Sequence, residues 1–239
     1  MTPSDDRDRA RFVSEMFGRI SHRYDLLNTI MTIGRHRTWR KQAVETISVD
    51  TEGVALDIAS GTGDFAFDLL QNPLITQVVG LDFSLDMLRV GILKAHKRNL
   101  SAEFLPVIGD SHSLPYGNNS FACATVGFGI RNFANIGRAM AEMLRVVRPG
   151  GTVVVLEIVK PQGFLMARMF PMYFRIFTPV LGSIFAGERE AYDYLPQSVQ
   201  GFKTASELAV TMENGGLRDV NVDLKALGTV AIVSGRKPG

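Results

Sequence analysis

Cysteine is nearly absent from this chain: Cys123 stands alone among 239 residues. A single thiol excludes an internal disulfide and a thiolate-rich metal cluster. Histidine is almost as scarce. His22, His36, His96 and His112 show neither i, i+4 pairing nor the His-Glu-x-x-His spacing of a zinc helix, so no metal site is expected. An excess of one charge is also missing. With 26 basic and 24 acidic residues the formal net charge is +2, which supplies no dense basic patch and argues against a nucleic-acid partner. The arginines near the start (Arg7, Arg9, Arg11, Arg19) are interleaved with Asp5, Asp6, Asp8 and Glu15, the pattern of a solvated helix face. Nor is there a long uninterrupted apolar run. The richest region, Phe164 to Phe185, is broken by Arg168, Pro171, Arg175 and Pro179, which excludes a spanning helix there. The first residues are too polar and too acidic for a secretory leader, so a cytoplasmic location is expected.

What the chain does have is enough apolar material, 46% of its residues, for one continuous core. Two helical patterns come first, Phe12, Val13, Met16, Phe17, Ile20 and then Trp39, Ala43, Val44, Ile47. Short apolar runs then alternate with helical stretches: Val54 to Ile58, Val78 to Leu81, Phe104 to Ile108, Cys123 to Val126, and Thr152 to Val159. That alternation predicts an α/β fold with a mostly parallel, Rossmann-like sheet covered on both faces. A helix over Ile136 to Val147 is expected to stop at Pro149-Gly150-Gly151, and another spans Thr204 to Asn214. Val220 to Leu224 and Val230 to Ser234 are spaced as a closing hairpin, which makes the last strand antiparallel. The expected organisation is an N-terminal helical cap over residues 1–50 and a Rossmann-like domain over 51–239, with an apolar helical insert at about 160–200.

The first strand runs into Asp57-Ile58-Ala59-Ser60-Gly61-Thr62-Gly63-Asp64. Gly61 and Gly63 allow a ligand to approach the backbone closely, as in dinucleotide-binding turns. Yet Ala66 stands where the third glycine of G-x-G-x-x-G belongs, and Asp64 follows the turn where a pyrophosphate wants positive potential. S-adenosylmethionine carries a sulfonium and an ammonium and no phosphate, so Asp57 and Asp64 suit it better. Asp82 ends the second strand, placed to accept from ribose hydroxyls, and Asp110-Ser111 follow the third, placed for the adenine edge. Each aspartate alone reads as a turn or helix cap. Three at successive strand ends beside a glycine turn read as one cofactor crevice.

These segments, with Tyr24-Asp25-Leu26-Leu27-Asn28, Gly34-Arg35-His36-Arg37-Thr38-Trp39, Phe128-Gly129-Ile130-Arg131-Asn132-Phe133 and Ala191-Tyr192-Asp193-Tyr194-Leu195-Pro196, resemble the ubiquinone/menaquinone biosynthesis C-methyltransferase family over nearly the whole chain. The resemblance implies a class I S-adenosylmethionine-dependent methyltransferase that methylates a ring carbon of a prenylated quinol: demethylmenaquinol, or the benzoquinol of the ubiquinone pathway. It carries cofactor binding onto Thr62, Asp82, Asp110 and Ser111. Gly127 belongs to the same site, but the family often has serine there, so a side-chain contact is lost. Ala122 and Gln197 are further departures from the family's pattern.

A ring carbon attacks a sulfonium well only when a neighbouring hydroxyl ionises, so a proton acceptor and a partner for the oxyanion are needed. Arg131 and Asn132 follow the fourth strand at the sheet edge that binds ligands, and Arg131, always protonated, is assigned the oxyanion. Tyr24 is assigned to orient the quinol. Asp25 is either a proton acceptor or a helix cap. His36, between Arg35 and Arg37, is read as a helix anchor, Trp39 as core and Cys123 as inert packing.

The insert's Met and Phe residues, Phe174 and Phe177 among them, need burial in the core, in a homodimer interface or against an isoprenoid tail. Arg168 and Arg175 would suit peripheral contact with the inner face of a membrane. Three alternatives differ in class: a methyltransferase for another phenolic acceptor, a nicotinamide dehydrogenase, which the missing third glycine disfavours, and a binding subunit without turnover.

Overall fold

The computed structural model describes residues 6–162 and 189–239, and the statements below concern those residues. Seven strands form one sheet: β1 Gly53–Ile58, β2 Ile75–Asp82, β3 Phe104–Ile108, β4 Phe121–Gly127, β5 Val147–Ile158, β6 Arg218–Lys225 and β7 Val230–Arg236. Their order is β3-β2-β1-β4-β5-β7-β6. β1 pairs in parallel with both β2 and β4, so the strand order reverses between β1 and β4, where open α/β sheets bind ligands. β7 runs antiparallel to both of its neighbours, β5 and β6, closing the sheet with the expected hairpin.

Residues two apart along a strand share a face, and the sheet's two faces carry separate cores. Leu56, Ile58, Val153 and Val155 pack with Met140, Met143, Leu208 and Met212 on one side. Ala55, Val154 and Leu156 pack with Trp39, Ala43, Phe65, Phe67 and Ala95 on the other. The helices supplying these residues are α3 His36–Glu45, α4 Asp64–Leu69, α5 Leu85–Lys97, α6 Ile136–Val146 and α8 Ala205–Asn214. Their starts are legible in the sequence. Ser84 accepts from the Met87 amide, Asn135 from the Arg138 amide, and Thr204 forms a capping box with Glu207.

Three helices complete the fold, α1 Asp6–Ile20, α2 Tyr24–Thr32 and α7 Arg189–Gln200. Met16, Ile20 and Leu27 form a small core with Phe12, Phe17, Tyr24 and Tyr194 packed against it. Because Tyr194 also donates to Asn132 at 2.9 Å, this cluster is tied to the carboxyl edge of the sheet.

One boundary differs from expectation. Pro149-Gly150-Gly151 does not separate helix from strand; it lies inside β5, which begins at Val147 beside Phe121. The strand survives because the register shifts between Phe121 and Cys123, a bulge in which Gly150 takes φ +77°. Most of the apolar insert, Phe174 and Phe177 included, lies outside the described residues.

Candidate active site

The cofactor half of the site is built at the ends of β1, β2 and β3. Asp57 is 1% exposed. Its Oδ1 accepts from the Thr125 hydroxyl of β4 at 2.7 Å, a contact set by the register that places these two residues side by side. Its Oδ2 is buried with no partner in hydrogen-bonding geometry, although the Ser60 hydroxyl, buried and equally unpaired, lies near enough to favour the carboxylate. Burial pushes the Asp57 carboxyl up to about 7, against the pull of its hydrogen bonds. A buried carboxylate oxygen lacking a donor is the feature that a ligand's ammonium completes.

Gly61 and Gly63 take φ +56° and +81°, so the turn that follows β1 needs glycine at both places. Its backbone is bound to the next strand, because the Gly61 amide donates to Asp82 Oδ2 at 2.7 Å and the Ser84 amide to Oδ1 at 2.8 Å. These bonds orient the Asp82 carboxylate while leaving lone pairs for ribose hydroxyls. Burial still raises its pKa on balance. Asp110 is exposed and fixed by His112, whose amide donates to Oδ1 at 2.9 Å and whose Nδ1 lies 2.6 Å from it. Since His112 Nε2 accepts from the Asn135 amide at 3.1 Å, Nδ1 carries the proton in the neutral ring. Ser111 is buried beside it.

Gly127 has a reason in its surroundings. A Cβ there would lie 2.6 Å from Phe65 Cδ1, so Phe65 already fills the room that a serine side chain needs.

Asp64 behaves differently from its sequence reading. It meets Lys94 at 2.5 Å, Arg40 at 3.4 Å and Arg98 at 3.6 Å. Although burial opposes ionisation, these cations hold its carboxyl below the usual range. Its negative potential is therefore cancelled within the protein and does not remain for a cofactor cation.

Asp25 joins the same cluster. Its Oδ1 accepts from Thr62 at 2.6 Å and its Oδ2 from Lys94 at 2.7 Å. The proton acceptor expected there is thus engaged by a hydroxyl and an ammonium, and the contact fastens α2 to the glycine turn. Thr62 is 2% exposed and its hydroxyl also accepts from Lys94, so its side chain serves that junction.

The acceptor half lies at the ends of β4 and β5. Arg131 sits in a short 3-10 turn, Ile130–Asn132, and is 7% exposed. Its Nη1 donates to Glu157 Oε1 at 2.8 Å and to the Phe128 carbonyl. Its amide donates to Glu157 Oε2 at 3.2 Å, and its Nε is buried without a partner. Burial works against the Arg131 charge, but Glu157 more than compensates and its pKa is raised. Burial likewise lifts the Tyr24 hydroxyl above its ordinary range, with Arg131 pulling the other way. Glu157 and Asp82 push it weakly in the same direction as burial. Asn132 accepts from Tyr194, a partner supplied by α7.

Glu157 was missed in the sequence. Its signal is that it is the single charged residue of Thr152 to Val159, and in the structure it is 0% exposed. The readings of His36 as a helix anchor and of Trp39 and Cys123 as packing residues agree with the structure. His36 is 2% exposed, lies 2.7 Å from Thr32 Oγ1, and is lowered to about 4, chiefly by burial and then by Arg40 and Arg37. Trp39 is core, and burial pushes the Cys123 thiol up to about 12. Among the described residues no group of His, Cys, Asp and Glu could hold a metal ion, and no helix is long and apolar enough to cross a membrane.

The chain matches the ubiE/COQ5 methyltransferase family over residues 3–237. It is 41% identical over 231 residues to a demethylmenaquinone methyltransferase of Roseiflexus castenholzii, covering 97% of this chain and 95% of that one. With a demethylmenaquinone methyltransferase of Desulfitobacterium hafniense it shares 38% over 237 residues, covering 97% and 92%. A ubiquinone/menaquinone biosynthesis C-methyltransferase of Geobacter sulfurreducens is 35% identical over 231 residues, covering 96% and 90%. Among solved structures, a SAM-dependent methyltransferase from Thermotoga maritima superposes with a TM-score of 0.65 at 20% identity, covering 94% of this chain and 99% of that one, which shows the fold.

Proposed function

Since the chain belongs to the ubiE/COQ5 methyltransferase family and so uses S-adenosylmethionine for methyl transfer in quinone biosynthesis, we propose that its acceptor is demethylmenaquinol, methylated at a ring carbon, and that Arg131 steadies the ring oxyanion. One observation carries the reading: Arg131, 7% exposed and held by Glu157 Oε1 at 2.8 Å, stands in the turn that follows β4, at the sheet edge that also carries Asp57 and Asp82.

S-adenosylmethionine bound in the crevice supplies an electrophilic methyl group. For its binding the fit lies in the orphan Oδ2 of Asp57 for the ammonium, the oriented Asp82 carboxylate for the ribose, and Asp110 with Ser111 for the base. Gly61 and Gly63, both at positive φ, let backbone approach it, and Gly127 contributes backbone alone, its side-chain space being filled by Phe65. On the acceptor side, the Arg131 guanidinium lowers the pKa of a ring hydroxyl that it meets, because an opposite charge favours the ionised form. The hydroxyl proton passes to solvent water, and the ionised oxygen pushes electron density onto the neighbouring carbon, which takes the methyl group as the methyl–sulfur bond breaks. Loss of that carbon's own proton to water then restores the aromatic ring. Tyr24 holds the ring through its hydroxyl, which burial keeps protonated near neutral pH. Asn132, itself held by Tyr194, is placed beside Arg131 for a second ring oxygen.

Asp82→Ala tests the cofactor half. It removes the ribose acceptor and should weaken S-adenosylhomocysteine binding by about 1.5–3 kcal/mol in calorimetry. Wild-type affinity in that variant would withdraw Asp82 from the site.

Product analysis by mass spectrometry, with demethylmenaquinol, a demethylated benzoquinol and a soluble phenol, tests the acceptor. Methylation of demethylmenaquinol is expected to dominate, and a prenylated quinol should show a lower KM than its tailless form. Burying apolar surface contributes roughly 25 cal/mol per Å², so even a short tail is worth several kcal/mol. Preference for the soluble phenol would favour the alternative of another phenolic acceptor, and absence of turnover with all three would favour a binding subunit.

A further inference from the structure

We infer that Glu157 is a positioning residue for methyl transfer, holding the Arg131 guanidinium by Nη1 so that the rest of its N–H edge is presented to the ring oxyanion. The inference rests on the reading of Arg131 given above. Glu157 bonds at both carboxylate oxygens. Oε1 accepts from Arg131 Nη1 and from the Ile158 amide, each at 2.8 Å, and Oε2 accepts from the Arg131 amide at 3.2 Å. One carboxylate thereby grips both the backbone and the head of the same arginine. With the Phe128 carbonyl also on Nη1, that nitrogen is fully occupied, whereas Nε is buried and has no partner in the protein.

Folding accounts for an acceptor at position 157, which satisfies the Arg131 and Ile158 amides, but not for a charged pair. Residues 153–156 of β5 are all apolar and 0% exposed, and an apolar side chain at position 157 would suit such a strand. Buried ion pairs are replaceable by well-packed apolar residues without loss of stability, so they are weak devices for holding a fold together. A charged pair is needed here if the cation must be presented, in one orientation, to a charge that develops during the reaction. The backbone around it is consistent with that demand. Phe128 takes φ +56°, an unfavourable conformation for a side-chain-bearing residue, and its carbonyl is the one that meets Nη1.

Glu157→Gln keeps the shape but turns an acceptor into a donor facing the guanidinium. Methyl transfer by the full chain should lose roughly 10²-fold in kcat, the scale of a misplaced reacting group, while S-adenosylhomocysteine affinity stays at the wild-type value. Glu157→Asp, which keeps the charge on a shorter arm, should fall between the two. A role in folding alone would instead lower stability and leave the kcat of the folded fraction intact. The double variant Arg131→Met with Glu157→Gln separates the cases further. It should be no less active than Arg131→Met alone, because Glu157 acts only through Arg131, and it should melt at a higher temperature, because no unpaired buried charge remains. Full kcat in Glu157→Gln, or additive losses in the double variant, overturns the inference while leaving Arg131 its role. Full turnover in Arg131→Met overturns the underlying reading first. Should Glu157→Gln not fold, Glu157→Asp decides: reduced kcat with unchanged cofactor affinity supports the inference, and wild-type kcat refutes it.

Discussion

Arg131→Ala should lower kcat for quinol methylation by about 10²–10³-fold, the scale of removing a preorganised oxyanion donor, and leave S-adenosylhomocysteine affinity nearly unchanged. The asymmetry follows from where the side chain sits. Arg131 contacts Glu157 and the Phe128 carbonyl at the ends of β5 and β4, whereas the cofactor-side carboxylates Asp57 and Asp82 lie at the ends of β1 and β2. The same substitution strands Glu157, which is 0% exposed, without its cation, and breaking a buried pair this way costs about 3–5 kcal/mol of folding stability. Turnover must therefore be measured at a temperature where the variant is shown to be folded, with cofactor affinity as the control. Tyr24→Phe keeps the ring packed against Phe17, 5.8 Å away edge to face, and removes only the hydroxyl. A milder loss, up to about tenfold, is expected of one neutral hydrogen bond. If Arg131→Ala retained full kcat, the oxyanion role would pass to another group, with Asn132 and Tyr24 the next candidates.

The parts of this site that were legible in the sequence depend on local rules. Asp57, Asp82 and Asp110 follow apolar runs of strand length, and a side chain at the end of a parallel strand faces the ligand-binding edge whatever the rest of the chain does. Gly61 and Gly63 were readable because a turn that reverses so sharply needs positive φ. What stayed hidden depends on partners remote in sequence. Asp64 reads as a carboxylate beside the cofactor until α3 and α5 deliver Arg40, Lys94 and Arg98 to it. Asp25 reads as a base or a helix cap until the N-terminal helices fold onto the glycine turn and give it Thr62 and Lys94. Glu157 was concealed by the opposite effect, an apolar run that reads as a buried strand and draws attention away from its one charge. The strand boundary at Val147 was misjudged because Pro-Gly-Gly signals a turn, and only tertiary pairing with β4 and β7 converts it into a bulge.

Asp57 yields a prediction in pH. Its folded carboxyl titrates near 7 against 3.8 for the unperturbed group, and burial is the main cause. A raised acid binds its proton more tightly in the folded state, so its contribution to stability is fully present below the unfolded value. That contribution is lost as pH rises from there through about 7. At about 1.36 kcal/mol per pH unit the loss is on the order of 4 kcal/mol in the ligand-free protein. Asp57→Asn keeps an oxygen for the Thr125 hydroxyl and has no proton to lose. Ligand-free Asp57→Asn should therefore gain stability over the wild type as pH is raised across this window, with the difference constant above it. Denaturant unfolding of both proteins at several pH values measures this directly. Cofactor binding should reverse the preference. An ammonium against the orphan Oδ2 favours the carboxylate, so its pKa falls in the complex. At pH 6 the wild type must then release a proton when S-adenosylhomocysteine binds, and its affinity should rise between pH 6 and 8. Asp57→Asn should bind weakly, with no pH dependence from this source. Calorimetry in two buffers of different ionisation enthalpy reads the proton release. A wild-type heat that is the same in both buffers, or full affinity in Asp57→Asn, would mean that the ammonium is held elsewhere and that Asp57 serves only to join β1 to β4 through Thr125.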